Sequence, residues 1–166
     1  MLDYKVIGIQ ELKHLCSVPH LRKWSSPIVL SAGCFDILTP GHISLLKDAS
    51  LLRVGNGIHV VALNSDRSIK ELKGNNRPIQ AFWERSVILS ALECVDFIVE
   101  MDDTDPRGVI QIIKPDYYIK GGDYTIEEIP EAALVKELGG EIRIVNYILG
   151  YSTTKTIDRI IRKTLP

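Results

Sequence analysis

From residue 28 onward, short β-branched runs alternate with stretches whose apolar residues recur at helical spacing. The runs 28–32 (IVLSA), 58–64 (IHVVALN), 96–99 (DFIV), 116–119 (DYYI) and 141–145 (EIRIV) are apolar and mostly not alternating, as expected of strands buried on both faces. Between them the pattern predicts helices over 41–53, 66–72, 81–93, 106–114 and 130–138, with a last one over 153–163. Leu45, Leu46, Ala49 and Leu52 make one stripe of the first of these, and Ile157, Ile160 and Ile161 face away from Asp158, Arg159 and Arg162 in the last. Pro106 suits a first helical turn and Gly139-Gly140 a helix stop. Strand–helix–strand alternation implies right-handed crossovers, so the expected fold is α/β: a doubly wound, parallel, five-stranded sheet with helices on both faces, in a single domain. Residues 1–27 read as a short helix near 9–16 and a tether ending at Pro27, with the main domain over 28–166. No functional reading attaches to the first segment.

In such sheets ligands bind beyond the carboxyl ends of the strands, which directs attention to the loops at 33–41, 64–66, 120–125 and 150–154. At 166 residues, 45% hydrophobic and 25% charged, the chain is long enough to bury a core without disulfide or metal staples. Its net charge of −1 offers no global attraction for nucleic acid or an anionic membrane. No apolar stretch is long enough for a membrane span, and the N-terminus lacks a basic stretch followed by a long apolar run. Cys16, Cys34 and Cys94 are widely spaced and lack CxxC spacing, which argues for reduced thiols and against a zinc site. These features together predict a cytoplasmic protein that binds neither nucleic acid nor membrane.

The first strand runs into Gly33-Cys34-Phe35-Asp36-Ile37-Leu38-Thr39-Pro40-Gly41-His42 and then a helix. Glycine at 33 and 41 permits close backbone approach, and a helix N-terminus presents free N–H groups and partial positive charge to whatever docks there. The segment is neither a GxxxxGK[ST] loop nor a GxGxxG fingerprint. Taken alone, it also fits an ordinary βα turn with His42 on the surface.

GCFDILTPGH resembles the GxFDxxHxGH signature of the cytidylyltransferase-like nucleotidyltransferases, and GYSTTKTI at 150–157 resembles their second, ISxTxI-type motif. NSDRSIKELKGNNRPI (64–79), ERSVILSALECVDFIV (84–99) and IKGGDYTIEEI (119–129) are similar to the adenylyltransferase domain of ADP-heptose synthases. The similarity is collinear from about 28 to 163, most of the chain. It implies a Rossmann-like nucleotidyltransferase that moves AMP from ATP to a sugar 1-phosphate, most plausibly heptose 1-phosphate, releasing pyrophosphate. It also implies Mg2+ carried with the triphosphate, a homodimer, and a separate sugar kinase upstream, because the kinase domain often fused to such domains is absent. A phosphomonoester is already largely dianionic at pH 7, its second pKa being about 6, so such a site needs positioning and positive charge rather than a general base.

The resemblance makes His42 the donor to the triphosphate in the transition state. Asp36 is implied to arrange the loop and the metal or substrate phosphate, while Cys34 and Phe35 supply backbone donors and a wall. The Cys34 thiol itself reads as packing rather than as a nucleophile. Two departures stand out. The first His of the motif is Thr39 here, as in phosphopantetheine adenylyltransferases, where a hydroxyl can donate but carry no charge. The basic residue expected on the following helix is Ser50, and the turn after that helix, 53–57, is longer than usual. Lys47 or Arg53 could substitute, and Lys47 joins His42 and Thr39 as a catalytic candidate, although the sequence does not choose between the two.

Lys73, Arg77 and Arg85 are candidate phosphate contacts, with solvated surface charge as the plain alternative. Asn64 and Asp66 close the second strand and could simply cap the next helix. Lys120, Gly121, Gly122 and Asp123 close the fourth strand, and a lysine at that place is a better phosphate candidate than a surface charge. Ser152, Thr153 and Thr154 form a hydroxyl-rich helix start, which is at once an N-cap and an anion site. Asp102, Asp103 and Asp105 read as a solvated loop, His14, His20 and His59 as structural or exposed, and Trp24 and Trp83 as packing. Two other functions remain open on the same motifs. One is a cytidylyltransferase acting on glycerol 3-phosphate or a similar small phosphate. The other is a nucleotide-binding regulator weakened at Thr39 and Ser50.

Overall fold

The structure, a computed structural model, describes residues 4–17, 26–122, 124–145 and 151–164. Its elements run in the expected order: α1 (Ile9–Ser17), β1 (Ile28–Gly33), α2 (Pro40–Leu52), β2 (Ile58–Asn64), α3 (Asp66–Lys73) and α4 (Phe82–Ser90). They continue with β3 (Phe97–Met101), α5 (Arg107–Ile113), β4 (Tyr117–Gly121), a single 3-10 turn (Ile126–Glu128), α6 (Ala132–Glu137), β5 (Glu141–Val145) and α7 (Thr153–Thr164). The 3-10 turn has no counterpart in the sequence pattern.

The five strands form one parallel sheet in the order β3-β2-β1-β4-β5. Leu46 of α2 and Leu89 of α4 pack with Val61, Leu63 and Ile98 on one face. Leu12 of α1, Ile110 and Ile113 of α5 and Val135 of α6 pack with Leu30, Val60 and Tyr118 on the other. The chain therefore leaves β1 toward one face and β4 toward the other, and these neighbouring strands flank the switch point where a crevice opens.

Two sequence expectations need adjustment here. The helix expected over 81–93 stops at Ser90. Beyond it the chain tightens into i→i+3 turns, Leu92 N–H bonding the Leu89 carbonyl at 3.1 Å and Val95 N–H the Leu92 carbonyl at 3.2 Å, and the carbonyls of Leu92, Glu93 and Cys94 accept from Lys5, Arg53 and His59 respectively. The segment before α1, for which the sequence offered no role, pairs with the outer edge of β3 through a Val6–Ile98 bridge. It thereby covers an edge that would otherwise expose unpaired backbone groups. The tether expected over the following residues lies largely outside the described residues, as do His20 and Trp24.

Candidate active site

The loop between β1 and α2 is held in a shape its residues would not adopt unaided. Phe35 and Ile37 have φ of 44° and 57°, a left-handed conformation that is costly for an aromatic and worse for a β-branched residue. Strain of this kind persists only where surrounding bonds over-determine it, and here three segments converge on the loop. From residues 77–80, the N–H groups of Ile79 and Gln80 donate to the Asp36 carboxylate at 2.9 Å each, Arg77 Nε donates to it at 2.7 Å, and Gln80 Oε1 accepts from Ile37 N–H at 3.0 Å. From α7, Thr153 Oγ1 donates to the Asp36 carbonyl at 2.6 Å. From α4, Arg85 donates to the Cys34 carbonyl at 2.8 Å. Glycine at 33 leaves room for the Phe35 ring that folds back over it, which a Cβ would approach to 3.2 Å.

Asp36 is almost wholly buried. Burial alone would raise its carboxyl, but the Gln80 and Ile79 N–H groups and the Arg77 guanidinium outweigh that and hold it below the usual carboxylate range. Both of its oxygens are taken by protein donors. Asp36 thus shapes the loop, Oδ2 facing Arg77 and Ile79 and Oδ1 accepting from Gln80. Among the described residues no three His, Cys, Asp or Glu side chains gather as a metal site. The ion would enter as part of the metal–triphosphate substrate.

His42 is the third residue of α2. Its Nδ1 accepts the backbone N–H of Thr39 at 3.1 Å, and the Thr39 hydroxyl lies 3.2 Å from the same atom. An amide N–H can only donate, so Nδ1 is the acceptor and the ring proton sits on Nε2. Burial, and after it the Lys73 charge, lower the His42 pKa against the opposing pull of Asp36. The Phe35 ring, 5.4 Å away at 55°, flanks the imidazole. The result is a neutral, oriented Nε2–H donor at a helix N-terminus. Thr39 is the N-cap residue of that helix, with extended backbone. Gly41 brings the start of α2 to within 3.9 Å of the Tyr151 carbonyl, measured from an added Cβ. The starts of α2 and α7 therefore both lie against the loop that follows β1. Ser152 caps α7 by accepting the Lys155 N–H at 3.2 Å, Thr153 is turned inward onto the loop, and Thr154 is exposed.

Of the cations expected here, Lys73 is exposed at the end of α3 and its charge reaches His42. Arg77 is mostly buried against Asp36, and its Nη2, 2.6 Å from Asp36 Oδ2 but poorly aligned with it, has no hydrogen-bond partner among the described residues. Lys120 and Gly121 stand at the end of β4, where Gly121 lets the Leu45 side chain of α2 close over the strand. Gly122, at φ 141°, carries the Tyr124 ring over its Cα. Asp123 lies outside the described residues.

Other expectations do not survive. Arg85 does not face the mouth as a phosphate contact: its side chain is wholly buried, and its guanidinium donates to the carbonyls of Cys34, Asn64 and Gln80 and to Asp66. It staples three loops together because burying a guanidinium requires that its donors be satisfied. Asp66 is the partner of that staple. Asn64 is buried, bonding Ser68 Oγ at 3.0 Å and the Asp103 carbonyl at 3.3 Å and accepting the Cys34 thiol at 3.7 Å, so both residues frame the loop rather than line a binding surface. The Cys34 carbonyl accepts from Arg85, which holds this end of the loop in place. Lys47 is exposed in the middle of α2 and its charge is felt at the Cys94 thiol, whereas the charges felt at His42 are those of Lys73 and Asp36. Arg53 pairs with Asp96 at the amino ends of the strands. Trp83 is 63% exposed rather than packed. Gln80 was missed; nothing in its spacing or residue type marks it.

A 3-2-1-4-5 parallel sheet whose first loop is locked beneath a histidine-bearing helix N-terminus defines a Rossmann-like nucleotidyltransferase. Residues 30–159 match the cytidylyltransferase-like family, and the chain belongs to it. Among curated relatives, the bifunctional protein HldE of Koribacter versatilis is 43% identical over 155 residues, covering 93% of this chain and 31% of that protein. The HldE of Campylobacter fetus is 40% identical over 158 residues, covering 95% and 32%. The chain thus spans about a third of the length of these relatives. The solved structure of a lipopolysaccharide core biosynthesis protein from Thermoplasma volcanium superposes with TM-score 0.57 at 30% identity, over 74% of this chain and 96% of that one. A pantoate-beta-alanine ligase from Francisella tularensis, at TM-score 0.58 and 16% identity over 85% and 66%, shares the fold alone.

Proposed function

We propose that the chain transfers AMP from ATP to a sugar 1-phosphate, heptose 1-phosphate, releasing pyrophosphate and forming an ADP-sugar. The observation that carries this reading is the bond from the Thr39 N–H to His42 Nδ1. It fixes the proton on Nε2, so His42 can donate to a phosphate but cannot take a proton from an attacking hydroxyl. A site without a base suits a nucleophile that arrives already ionised, and a phosphomonoester is one. His42 Nε2–H, the N-termini of α2 and α7 and Lys73 then meet the charge that builds on the triphosphate as the α-phosphorus bond to the leaving pyrophosphate lengthens, with Arg77 holding Asp36 and the loop beneath them.

The heptose assignment rests on the KGGDY-type segment, on the HldE relatives and on the lipopolysaccharide core biosynthesis protein that shares the fold. Mg2+ comes with the triphosphate. The sugar 1-phosphate must be supplied by a kinase-type reaction. A homodimer is inferred from the family resemblance, and light scattering tests it. No helix among the described residues is long and apolar enough to cross a membrane; a cytoplasmic location follows from the need for ATP.

The test is a matrix of four nucleoside triphosphates against several sugar phosphates and glycerol 3-phosphate, read by pyrophosphate release. Release with ATP only in the presence of a sugar 1-phosphate is expected. Preference for CTP with glycerol 3-phosphate would replace the reading with a cytidylyltransferase, and nucleotide binding without release from any pair would replace it with a regulator.

A further inference from the structure

A second polar cluster stands near the carboxyl end of β4, between that strand and the start of α6. Glu131, the residue leading into α6, is 3% exposed, yet its Oε1 accepts both the Tyr118 hydroxyl at 2.6 Å and the Lys120 ammonium at 2.8 Å. Tyr118 and Lys120 are two apart on β4, so their side chains share the face covered by α5 and α6. The last register pair between β1 and β4 is Ser31↔Ile119, which sets Lys120 beside the point where β1 opens into the strained loop. Burial would raise the Glu131 carboxyl, but its bonds from Lys120 and Tyr118 hold it below the usual range, and burial pushes the Tyr118 phenol up.

A buried carboxylate is costly unless fully paired, and at a helix start an apolar or uncharged residue would pack at least as well. What distinguishes this one is the partner it holds. An ammonium has three donors. Glu131 takes one, the Tyr118 ring lies 5.9 Å beneath the nitrogen, and the lysine side chain remains 29% exposed at the carboxyl edge of the sheet. The flexible four-carbon stem of a lysine would otherwise let that charge wander.

We propose that Glu131 is a positioning residue that, through Lys120, fixes a cation at the carboxyl edge of β4 for a phosphoryl oxyanion of the substrates. This rests on the nucleotidyltransferase reading above. Glu131 touches no substrate; it restricts where the Lys120 ammonium can sit, with Tyr118 as the second bond that keeps the carboxylate in place.

The experiment compares Glu131→Gln, Lys120→Met and the double variant. Gln keeps the side-chain volume and an acceptor oxygen but removes the charge that anchors the ammonium. Three readouts are taken: KM for ATP and for the sugar 1-phosphate in separate arms, calorimetric Kd for each ligand alone, and melting temperature. Glu131→Gln is expected to raise KM and Kd about tenfold for the one substrate whose phosphate Lys120 meets, with a smaller change in kcat. In the Lys120→Met background it is expected to have no further effect. The ATP arm moving identifies the triphosphate as the target, and the sugar-phosphate arm moving identifies the acceptor. A lower melting temperature with both KM and Kd values unchanged would overturn the proposal, leaving a buried ion pair that only stabilises the fold. Effects that multiply in the double variant would overturn it as well. Absence of pyrophosphate release by the wild-type chain with every substrate pair would defeat the functional reading, while the calorimetric arms still decide the role of Glu131.

Discussion

The backbone N–H of Thr39 and Nδ1 of His42 stand 3.1 Å apart across the first turn of α2. This single contact takes the place that a glutamate side chain fills in an ordinary capping box, and it does two things at once. It satisfies an N–H at the helix entrance, and it selects the tautomer of the imidazole. Because the donor is main chain, the bond survives the replacement of the motif's first histidine by threonine. That departure removes one charge from the site without loosening the histidine that remains.

Replacement of His42 by alanine is therefore expected to lower kcat by about 10²–10³-fold, the usual cost of one preorganised donor to developing charge. Thr39→Ala leaves the backbone donor in place and is expected to cost much less. Steady-state pyrophosphate release measures both. Equal losses in the two variants would mean that the threonine hydroxyl matters as much as the imidazole, and a small loss in His42→Ala that the imidazole does not meet the triphosphate.

The same tautomer argument fixes a pH dependence. The His42 pKa is lowered, by burial first and Lys73 second, so the ring becomes charged only below the ordinary histidine range. As the pH falls to about 6, the acceptor phosphate gains its second proton and activity declines for that reason. The position of this acidic limb is expected to be unchanged in His42→Ala, with only the plateau reduced. A limb that vanishes in the variant would make His42 a base and contradict the assignment of its proton to Nε2.

Thr153 joins the second motif to the first by donating to the Asp36 carbonyl at 2.6 Å and, more weakly, to that of Ile37 at 3.3 Å. Thr153→Val keeps the shape and removes the hydroxyl, leaving a buried carbonyl short of a partner at a cost of about 1–3 kcal/mol. Lower stability in urea unfolding is expected, together with a drop in kcat as Phe35 and Ile37 relax from their left-handed conformations. Thr153→Ser should restore most of both. Normal kcat in Thr153→Val would show that the strained loop holds without this bond.

The sheet could be read from the sequence because each strand is an apolar run bounded by its own turn signals, and all five observed strands fall on the expected runs within a residue or two. The cradle was legible for the same local reason, since Gly33, Asp36 and His42 lie on one strand–loop–helix stretch. What remained hidden depends on long-range partners. Arg85 looks like a surface cation at helical spacing, and only the folded chain shows three carbonyls and Asp66 closing around it. Gln80 and Glu131 carry no local signature because their roles lie in contacts with Ile37 and Lys120.

His59 provides a prediction about stability, far from the chemistry. It is wholly buried in β2, with Nδ1 2.6 Å from the Cys94 carbonyl and Nε2 2.9 Å from Ser31 Oγ. A carbonyl only accepts, so Nδ1 carries the proton, Nε2 receives the serine hydroxyl, and the neutral ring is fully bonded. Burial lowers its pKa to about 4, with the Cys94 and Asp96 contacts opposing and Arg53 assisting. In the unfolded chain the ring titrates near 6.5. Between those values the unfolded state binds a proton that the native state refuses. The histidine therefore stabilises fully above about pH 6.5, and its contribution falls as the pH drops toward 4. At pH 5 the loss is about 2 kcal/mol from this group alone. Urea unfolding of the wild type and of His59→Gln at pH 7.5 and pH 5 measures it. The variant is expected to be less stable at pH 7.5 but to lose distinctly less on acidification, and parallel losses in the two proteins would show that the ring is not the group that titrates.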